Sequence, residues 1–277
     1  MTGFFCIQIL SNNRPIGIFD SGIGGLTVAH AIQELLPNEQ LIYFGDTAHL
    51  PYGDKSKESI ISYSKKITRF LIQKNCKAIV IACNTASSFA YKEVVKEIGN
   101  EIPILNVIDP IVAHVKEQKY KNVGVIGTKG TIGSRIYPRK LEKIVKGINV
   151  GSLSTPLLCP MIEEGFFNNN ISRTIINSYL EKKPLDNIEA LILACTHYPL
   201  IKEEVEEYYN GSVNVIDSAH VTALAVQKLL KTKKLLSEKL EAKHHFYVSD
   251  LTDSFEKSTR TFFTKPLHLE LEHLWAD

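Results

Sequence analysis

Two cysteines close closely similar segments. Lys77–Thr85 (KAIVIACNT) and Glu189–His197 (EALILACTH) each run from short apolar stretches into Ala-Cys and then into polar residues, placing Cys83 and Cys195 at equivalent points 112 residues apart. A thiol at a strand end beside a helix N-terminus is drawn toward thiolate by the positive end of the helix dipole, and both positions predict that setting. Two chemistries are open to such a pair. One thiol acts as a nucleophile for acyl transfer with His197 as its base. Alternatively both act as general acid and base: one removes a proton from a carbon beside a carboxylate, and the other returns one from the opposite face and inverts the centre. His197 lies two residues beyond Cys195 and serves that thiol only if a turn brings it back. The remaining cysteines, Cys6, Cys76 and Cys159, read as small packing residues. No metal site is expected, because neither a CxxC nor an HxxxH spacing occurs. Five cysteines without close pairs also argue against a disulfide framework.

Other apolar runs also end in reactive groups. The first ends at Asp20–Ser21 and the second at Asp46–Thr47. The turn that follows Asp20 (SGIGG) is glycine-rich. Gly22 and Gly24 match the first two glycines of a dinucleotide fingerprint, and Asp46 lies at a suitable distance beyond. The third glycine position is Thr27, however, and Asp20 would face a pyrophosphate unfavourably. The turn suits a small carboxylate better, held by backbone N–H groups and the Ser21 hydroxyl. Pro51–Gly53 reads as a turn. Glu163 and Glu164 read as a solvated pair.

The elements that must position these groups follow from periodicity. Continuous apolar runs lie at Ile16–Phe19, Leu41–Phe44, Ala78–Ala82, Ile104–Ile108, Val123–Ile126, Leu191–Ala194 and Val213–Ile216. Short continuous runs mark parallel strands covered on both faces. Helical patterns separate them at Leu26–Leu36, Lys57–Gln73 and Ser87–Ile98, and a charged helix is expected over Leu230–Lys243. The class is therefore α/β, with mainly parallel sheets flanked by helices in two similar halves that face each other. The 277 residues are 44% hydrophobic and 22% charged, with a net charge of +2. This balance provides no footprint for nucleic acid, and no run is long enough to span a membrane. The apolar start MTGFFCIQIL lacks a basic region and a small-residue cleavage site, so it reads as an extension rather than a signal peptide, with a cytoplasmic location expected.

DSGIGG (20–25), GDTAHLPYG (45–53), ACNTAS (82–87) and CTHYP (195–199) occur in this order. Together they resemble the glutamate racemase family of the aspartate/glutamate racemase superfamily, from about Pro15 to Phe263. The resemblance implies a first α/β domain built from 15–108 and 218–277, a second from 109–217, and an N-terminal extension over 1–14. The segment around His244–Asp250 would close the first domain, and the active site would lie in the cleft between the two. It implies Cys83 and Cys195 as the acid/base pair, with Asp20 assisting Cys83, His197 assisting Cys195, and Glu163 as a further polar assistant. Asp20, Ser21, Pro51, Tyr52, Gly53, Asn84, Thr85, Thr128, Thr131, Thr196 and His197 would hold the substrate. The activity implied is interconversion of L- and D-glutamate with neither pyridoxal phosphate nor metal, supplying D-glutamate for peptidoglycan, and the assembly implied is a homodimer. An aspartate or hydantoin racemase is the alternative within the superfamily.

Overall fold

Continuous Ile- and Val-rich runs become strands here because helices cover both of their faces, so neither face needs polar residues. The computed structural model describes residues 12–99, 102–238, 243–252, 255, 259–260 and 267–276. Cys6, residues 1–11 of the extension and Phe263 lie outside the described residues. The strands are β1 (Ile16–Asp20), β2 (Leu41–Gly45), β3 (Ala78–Ile81), β4 (Ile104–Asn106), β5 (Asn122–Gly127), β6 (Asn149–Ser154), β7 (Ala190–Ala194), β8 (Asn214–Asp217), β9 (His245–Val248) and β10 (Leu269–Leu271). They form a six-stranded sheet in the order β10-β9-β2-β1-β3-β4 and a four-stranded sheet in the order β6-β5-β7-β8. Every pairing is parallel. The α/β class expected from the sequence is the class observed.

One arrangement recurs in both sheets. The first strand lies between the second and the third, and the fourth lies outside the third. This makes β3 and β7 counterparts, so the two similar Ala-Cys segments end at the same place in each sheet.

The strands alternate their side chains between two cores. Ile16, Ile18, Ala78 and Val80 face a core that continues to Val123, Val125 and Ile192 of the other sheet. Phe19, Ile79 and Ile81 face an outer core. Helix Leu26–Leu35 adds Leu26, Val28 and Ile32 to the shared core, and helix Ser218–Lys233 adds Ala223, Val226 and Leu230. Each fully buried aliphatic side chain contributes about 1.5–3 kcal/mol, so this shared core firmly ties one sheet to the other.

Three elements differ from the sequence reading. The helix expected over Leu230–Lys243 ends at Lys233, where Lys234 takes a left-handed conformation (φ 55°). Leu235 then turns back and is buried, because an apolar side chain there gains more from the core than from a further solvated turn. The pattern over Ser87–Ile98 is two helices, Asn84–Phe89 and Tyr91–Ile98, broken at Ala90. The last residue of the run Ile104–Ile108 belongs to the next helix, Ile108–Gln118.

Strand β6 passes tightly beneath the turn Lys183–Leu185. A Cβ built on Gly151 would stand 1.6 Å from the Pro184 carbonyl oxygen, which is backbone and cannot swing aside. Gly151→Ala is expected to destabilise the protein by at least the roughly 1–3 kcal/mol typical of overpacking, read as a lower urea midpoint. An unchanged midpoint would show that β6 yields at no cost.

Candidate active site

In open parallel sheets the crevice for a ligand forms beyond the carboxyl ends of the strands, where the strand order reverses. Both sheets place such a point at the same cleft. In the first, β1 and β3 flank it and lead into Ser21–Gly22 and Cys83–Thr85. In the second, β5 and β7 flank it and lead into Thr128–Lys129 and Cys195–His197. The cleft has a volume of about 320 Å³, within the range that suits a small metabolite.

Most of the residues singled out from the sequence meet there. Ser21, Pro51, Tyr52, Gly53, Cys83, Asn84, Thr85, Thr128, Glu163, Cys195, Thr196 and His197 all line the cleft. Asp20 and Thr131 do not form its wall and stand directly behind it. Asp20 is fully buried and accepts hydrogen bonds from the Gly22 and Gly25 amides at 3.1 Å each. The Thr196 hydroxyl reaches it from the other sheet at 3.4 Å. Thr131 completes a triangle of hydroxyls with Thr85 and Thr128, with edges of 2.9, 3.1 and 3.1 Å, bridging the two halves.

Asp46, the acidic group of the weighed dinucleotide fingerprint, is committed elsewhere. It accepts from the Tyr52 hydroxyl at 2.6 Å, from Ser249 at 2.8 Å and from the Trp275 indole at 2.8 Å. That network holds the Pro51–Gly53 wall in place and leaves no oxygen directed to a ribose.

Asn84 shows a free valence. Its Oδ1 accepts from the Tyr137 hydroxyl at 2.7 Å, which fixes the amide so that Nδ2 points away from that bond. Nδ2 is buried with no partner among the described residues. An unmet buried donor costs about 1–3 kcal/mol, and an acceptor on a bound ligand would remove that cost.

The two thiols are unequal, and one departs from the dipole argument. Cys83 caps the helix Asn84–Phe89, with its sulfur accepting from the Ala86 amide at 3.4 Å and its S–H directed to Ser21 Oγ at 3.6 Å. Burial and the charge of Asp20 nevertheless outweigh the helix end and push the Cys83 thiol up to about 12. Cys195 is not a helix cap at all. A turn follows it, and the helix Lys202–Tyr209 begins only after the 3₁₀ segment Tyr198–Ile201. That turn brings His197 back, with Nδ1 3.7 Å from the Cys195 sulfur. Burial pushes Cys195 up, but hydrogen bonds from Cys159 and His197, with the charge of His197, bring it down to about 6. Burial alone would deprotonate His197, yet its contacts with Cys195 and Glu163 hold it well above the usual imidazole range. These shifts favour the thiolate at Cys195 beside the charged form of His197, and the thiol at Cys83.

Glu163 is the member of its pair that turns inward. Both glutamates are exposed, but the Glu163 carboxylate lies 3.1 Å from His197 Nε2 in the wall of the cleft. Glu163 is thus solvated, as the pair was read, and in addition reaches the site through His197. Cys159 is the residue that sequence reasoning missed. It lies on the short helix Leu158–Glu163, among Leu158, Met161 and Ile162 of the core, and this apolar setting is why it read as packing. Its sulfur lies 3.1 Å from that of Cys195 and 3.6 Å from His197 Nδ1. Thr155 and Tyr198, also in the wall, carried no motif.

Gly24 sits where the two halves touch. A Cβ there would stand 2.4 Å from the His197 ring and 2.6 Å from the Thr196 hydroxyl. Gly24→Ala is expected to displace both and lower kcat/KM by roughly 10²-fold, the usual penalty for about 1 Å of misplacement. A kinetic assay with intact far-UV circular dichroism checks it, and normal kinetics would mean the turn can shift freely.

Comparison with known proteins agrees with this geometry. Residues 24–226 match the family model described as Asp/Glu/Hydantoin racemase. The glutamate racemase of Syntrophus aciditrophicus is 38% identical over 92% of this chain and 94% of its own length. That of Chlorobaculum tepidum is 40% identical over 91% of this chain and 93% of its own. The crystal structure of glutamate racemase from Francisella tularensis in complex with D-glutamate superposes with a TM-score of 0.89 at 41% identity, covering 95% of this chain and 99% of that one. With two thiols on equivalent strand ends of one cleft and relatives matched along nearly their whole length, the chain belongs to the glutamate racemase family, amino-acid racemases of the isomerase class.

Proposed function

We propose that the protein interconverts L- and D-glutamate, with Cys83 and Cys195 exchanging the roles of base and acid. The observation that carries this reading is the placement of the two thiols, one at the end of each sheet's third strand, in the wall of a single cleft. A thiolate on one side removes the Cα proton, and the thiol on the other side delivers its own proton to the opposite face. In the reverse direction the roles exchange.

The α-proton of an amino acid is only weakly acidic, so the developing carbanion needs hydrogen-bond donors aimed at its carboxylate. Asn84 Nδ2 and the Ser21 hydroxyl, with the Thr85 and Thr128 hydroxyls beside them in the wall, supply them. His197, held by Glu163, balances the charge of Cys195. Asp20 sets the orientation of the Thr196 hydroxyl and raises the basicity of Cys83. D-glutamate is what the Francisella glutamate racemase is in complex with, which supports the same choice here. The product would feed peptidoglycan synthesis, and the need for two reduced thiols suits the cytoplasm.

The test follows each enantiomer of glutamate and of aspartate by circular dichroism with the purified, reduced protein and no added cofactor. The signal from either glutamate enantiomer is expected to decay to zero while aspartate stays unchanged. Turnover of aspartate alone would replace glutamate with the alternative substrate, and turnover of neither would overturn the reading.

A further inference from the structure

The sequence holds no metal-ligand spacing, yet the fold assembles one. Cys159, Cys195 and His197 present three donor atoms within reach of one another. The sulfurs are 3.1 Å apart, and His197 Nδ1 lies 3.6 Å from one and 3.7 Å from the other. The corners of such a triangle stand roughly 2 Å from a common point, slightly inside the bond lengths of zinc to imidazole and thiolate (about 2.0–2.3 Å). An ion lifted a little out of the plane reaches all three donors without moving the backbone.

The outer shell fits as well. Histidine ligands bind through one ring nitrogen and donate the other N–H to a carboxylate, which fixes the ring. His197 is placed for this: Nε2 lies at ion-pair distance, 3.1 Å, from the Glu163 carboxylate, and Nδ1 faces the sulfurs. The three donors also lie in the wall of the cleft, so a fourth coordination position opens toward water or a ligand's carboxylate. Two sulfurs and an imidazole select a soft or borderline ion such as Zn²⁺ or Cd²⁺ over Mg²⁺ or Ca²⁺.

We propose that Cys159, Cys195 and His197 form a Cys₂His site for a zinc-like divalent cation, and that its occupation excludes racemisation. Formation of the site is independent of the reading of function. The exclusion rests on that reading, because coordination to a divalent cation takes from the Cys195 thiolate the basicity it needs to accept a proton and blocks its approach to the substrate. Cys159 is then the residue that makes the enzyme sensitive to metal.

The experiment titrates the reduced, chelator-stripped full chain with Co²⁺ under anaerobic conditions. One equivalent is expected to produce thiolate-to-cobalt charge-transfer and tetrahedral ligand-field bands, which Zn²⁺ then bleaches. The bands should persist in Cys83→Ala. They should vanish or need at least roughly 10-fold more cobalt in Cys159→Ala and in Cys159→Ser, two variants that guard against a single failure to fold. Glu163→Gln should weaken binding by roughly 10- to 100-fold, the usual range for loss of such a partner. In the kinetic arm Zn²⁺ should inhibit competitively with glutamate and chelator should restore the rate. Absence of the bands at saturating cobalt, or bands of equal strength in both Cys159 variants, overturns the site. If the bands form while zinc leaves turnover untouched, the exclusion is overturned and the site stands. If the protein turns over no glutamate at all, the cobalt arm still decides the site by itself.

Discussion

Cys83→Ala and Cys195→Ala are each expected to lose racemisation by about 10³-fold or more, the upper part of the range for a positioned acid or base. Alanine offers no proton acceptor, and water cannot replace it because each thiol is almost fully buried in the wall of a narrow cleft. The losses should not be equal in kind. A variant with a single thiol can still lift the α-proton of the enantiomer that presents it to that side and return a proton to the same face. In deuterated water, Cys83→Ala should therefore exchange the α-hydrogen of one enantiomer without inversion, and Cys195→Ala that of the other. The intact enzyme should place deuterium in product and leave remaining substrate unlabelled at early times, because the proton taken and the proton given belong to different sulfurs. Near-normal interconversion by either variant, or equal early labelling of substrate and product in the intact enzyme, would show that one base is enough.

That prediction draws on both what the sequence displayed and what it concealed. Strands β1, β2, β3, β5 and β7 were legible because burial on both faces leaves a continuous apolar run, and the edge strands β4 and β8 because Ile104–Leu105 and Val215–Ile216 stay apolar. Strand β6 was not: at the sheet edge it is half-exposed and mixes Gly151, Ser152 and Ser154 with Val150 and Leu153, so no run survives. Short β10 holds three residues, too few for any period to show. The facing of Cys83 and Cys195 was legible as a repeat, since equivalent strand ends carry equivalent residues. Their electrostatics were not, because a dipole argument sees only the chain neighbours. Burial, joined by the charge of Asp20 distant in sequence, reverses the expectation for Cys83, while Cys159 and the histidine two residues beyond Cys195 secure the other. Cys159 escaped for the same reason. Its meaning comes from a partner 36 residues away, beyond the helix Asn170–Leu180 and β7, while its own helix carries only core spacing. Local pattern reports burial well and convergence poorly.

At the other end of the sheet, a buried ion pair carries the largest expected effect on stability. Lys77 precedes β3 and its side chain is fully buried; Nζ lies 2.5 Å from Glu39 Oε2, itself only 2% exposed. The same ammonium donates to the carbonyl oxygens of Asn12 and Leu235 at 2.5 and 2.7 Å. The second Glu39 oxygen accepts from the Ser237 amide at 2.8 Å. One cation thus joins the start of the described chain, the approach to β2, the approach to β3 and the return of the chain after the helix Ser218–Lys233. Lys77→Met fills the volume but strands a carboxylate without its countercharge, so a loss of about 3–5 kcal/mol is expected. Removing both charges in Lys77→Met/Glu39→Gln should recover much of that loss, because the penalty arises from the orphaned charge rather than from the missing bond. Urea unfolding followed by far-UV circular dichroism measures the four members of this cycle. Cys83 and Cys195 sit at the carboxyl ends of the strands and Lys77 at an amino end, so kcat/KM of the folded variant should stay within about twofold, well under the tenfold change that corresponds to about 1.4 kcal/mol. A single variant as stable as the parent, or a double variant worse than the single, would mean that Glu39 finds another partner and that the pair does not organise this end of the fold.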